Sequence, residues 1–109
     1  MENLMSAVYI ETNSDTLSRL ETISNEQKLP LYEVIGQTVK ALLSNEIELP
    51  TLAEIDVLKR DLDGSLLSIP LLIDLKNGIE SLAQSNRMEE SDIYLFVTDR
   101  ISRGICLSN

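Results

Sequence analysis

Residues 7–12 read Ala-Val-Tyr-Ile-Glu-Thr, and residues 67–75 read Leu-Ser-Ile-Pro-Leu-Leu-Ile-Asp-Leu. In the first stretch the aliphatic residues Val8 and Ile10 alternate with Tyr9 and Glu11. In the second stretch every other residue from Ile69 to Leu75 is likewise aliphatic. Alternation with a period of two is typical of a strand that buries one face. We therefore predict two short strands. Pro70 has no N–H to donate, so we expect the second strand either at a sheet edge or with shortened pairing.

Helical patterns follow both stretches. Residues with N-cap chemistry precede a helix near 15–26. Pro30 suits the first turn of a second helix, whose apolar residues recur at helical spacing up to Leu43. After the second strand, Asn77 is expected to begin another helix, and apolar residues from Ile93 to Ile101 indicate a last one. The order strand, helix, helix is thus predicted twice.

The segment 46–65 connects these two units. Thr51 and Glu54 have the spacing of a capping box, in which each side chain bonds the other residue's amide. A short helix is predicted after Thr51. Gly64 is expected to end this helix in the left-handed conformation.

One domain is predicted over residues 1–109, because this length suits a single core. It would consist of a first repeat at 5–45, the connection with its short helix at 46–65, and a second repeat at 66–109. A shift of 59 residues superimposes the repeats without a gap from Leu20 to Leu42. Duplication and a chance alignment of two amphipathic units both remain open. Matched pairs include Ile10 and Ile69, Leu20 and Ile79, Lys28 and Arg87, Val34 and Ile93, and Leu42 and Ile101.

Composition excludes several kinds of site. The chain has no His, so it has no His general base and no His metal ligand. Its one cysteine cannot form an internal disulfide or a Cys-based zinc site. No glycine-rich phosphate loop occurs. We therefore predict a non-enzymatic protein without catalytic residues, cofactor or metal.

Charge and hydropathy bear on partners and location. The chain carries 18 Asp and Glu against 9 Lys and Arg, a formal charge of −9. Such a charge opposes nonspecific binding to nucleic acid and to anionic membranes. No apolar run approaches the ~18 residues of a membrane span, and no signal peptide is recognisable. Together with the single Cys106, these features favour a cytoplasmic location without membrane association.

Both repeats carry short motifs with a family likeness, and each repeat resembles a ribbon-helix-helix unit of the Arc/MetJ type. The resemblance implies a helix-rich α+β fold, in which two strands pair antiparallel beneath four helices. Most members of that family build it as a homodimer, whereas this chain would form a pseudo-dimer within itself. The motifs are 7–12, Leu-Glu-Thr-Ile-Ser at 20–24, Tyr-Glu-Val-Ile at 32–35, Ile-Pro-Leu-Leu-Ile-Asp at 69–74, Ile-Glu-Ser-Leu-Ala at 79–83 and Ser-Asp-Ile-Tyr at 91–94.

The resemblance also implies a site. In the family, outward residues of the ribbon enter the DNA major groove, and the start of the second helix of each unit holds a phosphate. Lys28 and Arg87 precede those helices here and are the candidate phosphate contacts, although ordinary loop charge also explains them. The expected outward residues include Tyr9, Glu11, Ser68, Pro70, Leu72 and Asp74.

None of those outward residues is a cation or an amide side chain that reads bases. Tyr9, Glu11, Leu72 and Asp74 are therefore candidates for a partner-binding face instead. The leading hypothesis is a regulatory protein that occludes a protein partner, as an antitoxin, corepressor or inhibitor does, with its acidic surface as a nucleic-acid mimic in one variant. The alternative is a sequence-specific DNA-binding transcriptional repressor. A homo-oligomer also stays open, because a domain of this size buries only ~60–65% of its unfolded surface.

Overall fold

The structure, a computed structural model, describes residues 4–104, so Cys106 lies outside the described part. Strands and helices together confirm the predicted helix-rich α+β fold class. Within the described residues no helix is long and apolar enough to cross a membrane. The elements are β1 (Met5–Thr12), α1 (Ser14–Gln27), α2 (Leu31–Leu43), α3 (Leu52–Lys59), β2 (Ser65–Leu72), α4 (Ile73–Ser85) and α5 (Glu90–Ser102).

The two strands pair antiparallel and form a two-stranded ribbon. Met5 lies opposite Leu72 at one end of the ribbon, and Thr12 lies opposite Ser65 at the other. The predicted pairing of the two strands is therefore confirmed. The buried apolar side chains of the ribbon are Val8, Ile10, Ile69 and Leu71, which alternate as the sequence pattern requires.

The second strand ends earlier than predicted. The sequence pattern predicted a strand over 67–75 and a helix beginning at Asn77, but β2 ends at Leu72 and α4 begins at Ile73. Both predicted boundaries were therefore wrong. The element types and their order were right.

The apolar residues after β2 explain this error. Leu75, Ile79 and Ala83 recur every four residues, and Ile79 and Ala83 are buried in α4. The residues that continue the alternation of a strand thus also begin the apolar stripe of a helix. Asp74 falls in the first turn of α4, where a carboxylate interacts favourably with the helix dipole. Helical packing therefore prevails over extension of the strand.

The helices cover one face of the ribbon. Helices α2, α4 and α5 contact the strands, while α1 packs against α5 and α2 packs against α4. The second and fifth helices also contact each other. The core consists mainly of buried aliphatic side chains: Val8, Ile10, Leu20, Val34, Ile35, Val39, Leu42, Ile69, Leu71, Ile79, Ile93, Val97 and Ile101.

The connection between the repeats begins as predicted and ends differently. The Glu54 amide donates to Thr51 Oγ1 at 3.2 Å, and the Thr51 amide donates to Glu54 Oε1 at 3.2 Å. This capping box is confirmed. The helix ends at Lys59, however, so Gly64 does not cap it. Gly64 instead takes a φ of 88° in the turn directly before β2, where glycine avoids the steric penalty of a side chain.

Candidate functional site on the outer face of the ribbon

The face of the ribbon that points away from the helices is exposed and mainly apolar. We call it the ribbon face. Tyr9 is 69% exposed and Leu66 is 64% exposed, and both belong to this face. Exposed large apolar side chains that cluster are typical of interaction surfaces. The ribbon face consists of Met5, Ala7, Tyr9 and Glu11 from β1 and of Leu66, Ser68, Pro70 and Leu72 from β2.

The ribbon face has little capacity to read DNA. Glu11 is its only charged member, and Ser68 adds a hydroxyl opposite Tyr9. Arg, Lys, Asn and Gln, the side chains that most often bond base edges, do not occur on it. An aromatic ring with flanking aliphatic groups suits contact with apolar protein side chains.

Three of the four residues predicted for a partner-binding face lie on the ribbon face. Tyr9 and Glu11 are exposed there, and Leu72 is half-buried at its edge. Asp74 does not lie on it, which corrects that prediction. The strand ends at Leu72, so Asp74 stands in the first turn of α4.

Sequence reasoning missed three members of the ribbon face. One of them, Ala7, lies within the predicted first strand, and the other two lie before the predicted strands. Met5 and Leu66 lie before the predicted strands, which began at residues 7 and 67. The structure begins β1 at Met5 and β2 at Ser65, so both residues belong to the ribbon. Both have the alternating spacing of their strands, and this spacing was the available signal. Leu66 lies opposite Glu11, so it adds an apolar side chain beside the one charge.

Lys28 and Arg87 occupy the turns before α2 and α5. Both have a left-handed backbone, with φ of 57° and 56°. Both are exposed, and neither has an ion-pair partner within residues 4–104. The structure thus places the two candidate phosphate contacts at equivalent points of two helix–helix turns.

The start of α5 already holds carboxylate groups. The Glu89 amide donates to Asp92 Oδ2 at 3.1 Å, and Lys59 Nζ lies 3.1 Å from Asp92 Oδ1. Hydrogen bonding and charge attraction from Asp92 raise the pKa of Lys59. Because a buried carboxylate takes the amide that an anion would need, this helix start opposes phosphate binding.

Asp63 joins the two strands to α1 at the far end of the ribbon. Its carboxylate accepts hydrogen bonds from the Ser65 amide at 3.0 Å and the Ser14 amide at 3.0 Å. Hydrogen bonds from these two serines lower the pKa of Asp63 to about 2. The Asp63 amide in turn donates to the Thr12 carbonyl at 3.4 Å. One residue therefore links β1, β2 and the start of α1.

A polar cleft lies beside Asp63 at this end of the ribbon. Its volume is about 680 Å³, and its charged lining is Asp15, Arg19, Asp61, Asp63, Asp99 and Arg103. Arg19 pairs with Asp15 at 3.2 Å and Arg103 with Asp99 at 2.9 Å, so both cations are neutralised. Across residues 4–104 no group of three or more His, Cys, Asp or Glu side chains has an arrangement that could hold a metal ion.

Comparisons with known proteins identify no relative. No family model, curated protein or solved structure gives a significant match to this chain. The resemblance to ribbon-helix-helix proteins therefore stays a prediction.

Proposed function

We propose that this chain is a non-enzymatic regulatory protein on a ribbon-helix-helix-like scaffold, which binds a protein partner with its ribbon face. In this proposal residues 5–45 and 66–109 are two halves of a pseudo-dimer within one chain. The protein acts by occlusion, as an antitoxin, corepressor or inhibitor does. A reducing cytoplasm is the location we expect for it.

Matched burial supports the two-halved arrangement. Leu20 and Ile79 stand 59 residues apart and are both fully buried, and the same is true of Val39 and Thr98. The contacts also cross between the halves, because α1 packs against α5 and α2 packs against α4. These contacts between the halves let each half cover apolar surface of the other, which one strand and two helices cannot bury alone.

The ribbon face carries the functional proposal. Tyr9 and Leu66 remain exposed although the chain has a well-filled aliphatic core on the other side of the same strands. Glu11 is the one charge on this face. Aromatic and aliphatic side chains in a shared patch are typical of the central part of protein interfaces. The surface of a protein partner therefore matches these residues better than the negatively charged major groove of DNA.

Affinity capture from the cells that produce this protein tests the proposal. The tagged chain is compared with a Tyr9→Ser/Leu66→Ser variant by quantitative mass spectrometry. The matched control is Leu52→Ser/Val57→Ser, which removes two apolar side chains of similar exposure, 57% and 53%, from α3. We expect a protein that is enriched by the wild type and the control and lost with the ribbon variant. Equal recovery by all three forms would overturn the proposal.

A DNA-binding repressor is the second candidate. Its support is the matched placement of Lys28 and Arg87, which share a left-handed backbone and have no ion-pair partner in the described part of the chain. A repressor should bind one DNA sequence tightly and in a salt-dependent way. Lys28→Ala and Arg87→Ala should each reduce the slope of log affinity against log salt concentration by about one, which corresponds to one lost phosphate contact. A gel shift that finds binding independent of both residues would rule it out.

A further inference from the structure

An open apolar groove lies at the Met5–Leu72 end of the ribbon, between the strands, α2 and the start of α4. Its volume is about 400 Å³, and its lining includes Met5, Tyr32, Gly36, Pro70, Leu72 and Leu75. We propose that this groove anchors an apolar side chain from a positively charged segment of a protein partner. The inference rests on the proposed function, because that segment would continue across the ribbon face.

Gly36 keeps the groove open. It lies in the middle of α2, where glycine is less favourable than alanine. A Cβ built there would meet Leu75 Cδ1 at 3.8 Å, which is an ordinary van der Waals contact. Packing therefore does not require glycine at this position. The consequence of the missing side chain is free space in the groove.

The matching position in the other half differs. Residue 95 stands 59 positions after Gly36, in the middle of α5, and it is a leucine that is 5% exposed. In the two-halved arrangement the second half thus places a buried side chain where the first half has none. The cleft at that end is lined mainly by polar residues. Within the described residues, the end of the ribbon near Gly36 thus has an apolar groove, whereas the cleft at the other end is mainly polar.

The groove and the ribbon face form one continuous surface. Met5, Pro70 and Leu72 line the groove and also belong to the ribbon face. A single segment of a partner could therefore place one apolar side chain in the groove and the following residues against Tyr9 and Leu66. This arrangement has the form of a buried anchor beside a flatter contact area.

Charge determines the class of partner. The chain carries a formal charge of −9, and Glu11 lies on the ribbon face while Glu33 lines the groove. Asp74 stands next to the groove residue Leu75, and Lys40 is the cation of the lining. These carboxylates attract a basic segment and repel both nucleic acid and a second copy of this chain. The fitting occupant is therefore basic and carries at least one apolar side chain.

A short fluorescein-labelled peptide of Lys and Leu residues serves as the probe. One matched peptide has Ser for every Leu, and another has Glu for every Lys. Fluorescence anisotropy gives the Kd, and amide chemical shifts locate the bound peptide. We expect the Lys-Leu peptide to bind at least about tenfold more tightly than either matched peptide, a difference of about 1.4 kcal/mol. We also expect chemical shift changes at Gly36, Lys40 and Leu75, which line the groove and lie outside the ribbon face.

Two variants test the groove itself. Gly36→Leu fills it, and Met5→Lys places a cation at its exposed rim without altering the core. Each should weaken binding of the Lys-Leu peptide about tenfold. The control Ala53→Leu places the same side chain on an exposed position of α3 and should leave the Kd within about twofold.

The outcomes separate the inference from the proposed function. Unchanged binding by both groove variants, with shifts confined to ribbon-face residues that do not line the groove, would show that the groove is not the anchor site. The ribbon face would then still stand as a binding surface. Equal binding of the Glu-containing peptide, or no binding of the Lys-Leu peptide, would overturn the basic class of partner. Whether the ribbon face binds a protein partner is tested independently, by the capture experiment with Tyr9→Ser/Leu66→Ser.

Discussion

Lys28 and Arg87 adopt the same left-handed backbone conformation, with φ of 57° and 56°, in the turns that follow α1 and α4. The Lys28 amide donates to the Asn25 carbonyl at 3.3 Å, and the Arg87 amide donates to the Gln84 carbonyl at 3.4 Å. Both residues thus end a helix in the same way, 59 positions apart. A side chain with a Cβ is strained in this conformation, which glycine adopts freely.

Replacing either residue with glycine should therefore stabilise the fold. We expect Lys28→Gly and Arg87→Gly each to raise the free energy of unfolding by about 1 kcal/mol, measured by urea denaturation. Lys40→Gly, inside α2, is the matched control and should lower it by about 1 kcal/mol. A loss of stability in both turn variants would contradict the equivalence of the two turns.

Asp63 should contribute to stability in a pH-dependent way. Its pKa is lowered to about 2 by hydrogen bonds from Ser65 and Ser14, whereas an unfolded Asp titrates near pH 3.9. A lowered folded-state pKa gives stability that is present above about pH 4 and is lost as the pH falls through about 2. Asp63→Asn should then lower the Tm at neutral pH, and the difference from the wild type should shrink over that acidic window.

Asp61→Asn is the control for this change, because Asp61 is an exposed neighbour whose side chain makes no hydrogen bond within residues 4–104. Its Tm should follow the wild type at every pH. A Tm difference for Asp63→Asn that stays constant down to about pH 2 would contradict the role of the ionised carboxylate.

Tyr94 holds a buried hydroxyl that has no hydrogen-bond partner in the described part of the chain. Burial and the nearby Glu90 and Glu80 raise its pKa to about 12. Since an unpaired buried hydroxyl costs free energy, Tyr94→Phe should leave the stability unchanged or raise it by up to about 1 kcal/mol. Denaturation by urea measures this, and a loss above about 1 kcal/mol would reveal a partner for the hydroxyl.

Leu20 and Ile79 offer a direct comparison of the two halves, because both are fully buried at matching positions. Truncation to alanine removes apolar contacts and leaves a cavity, so each variant should lose about 2–5 kcal/mol. Val57→Ala on the exposed side of α3 should change the stability by less than about 0.5 kcal/mol. A small loss at Leu20 beside a large loss at Ile79 would argue against two equivalent halves.

The sequence predicted the order of the elements and the pairing of the strands because alternation and helical periodicity were strong in both units. It could not place the end of β2, since Leu71, Ile73 and Leu75 alternate like a strand while Leu75 also starts a helical stripe. Because of that ambiguity, Asp74 was predicted on the outward face of the strand, whereas it lies in α4. Local periodicity does not reveal which pattern tertiary packing selects.

Much of the candidate site was also readable from residue types. Tyr9 and Glu11 stood out as outward residues of a strand, and the structure places them on the ribbon face. The groove at Gly36 was not predictable, because it arises where α2, α4 and the end of the ribbon meet. A helical glycine in the sequence gives no sign of whether a neighbour fills its space.

A photo-reactive benzoylphenylalanine in place of Tyr9 tests the binding role of the ribbon face most directly. Leu52, exposed on α3, receives the same group as the control. After irradiation of the cells that produce this protein, we predict that position 9 gives one dominant cross-linked protein. The same protein should not be cross-linked from position 52. Cross-linking of position 9 to nucleic acid, or the same protein adducts from both positions, would contradict the proposal.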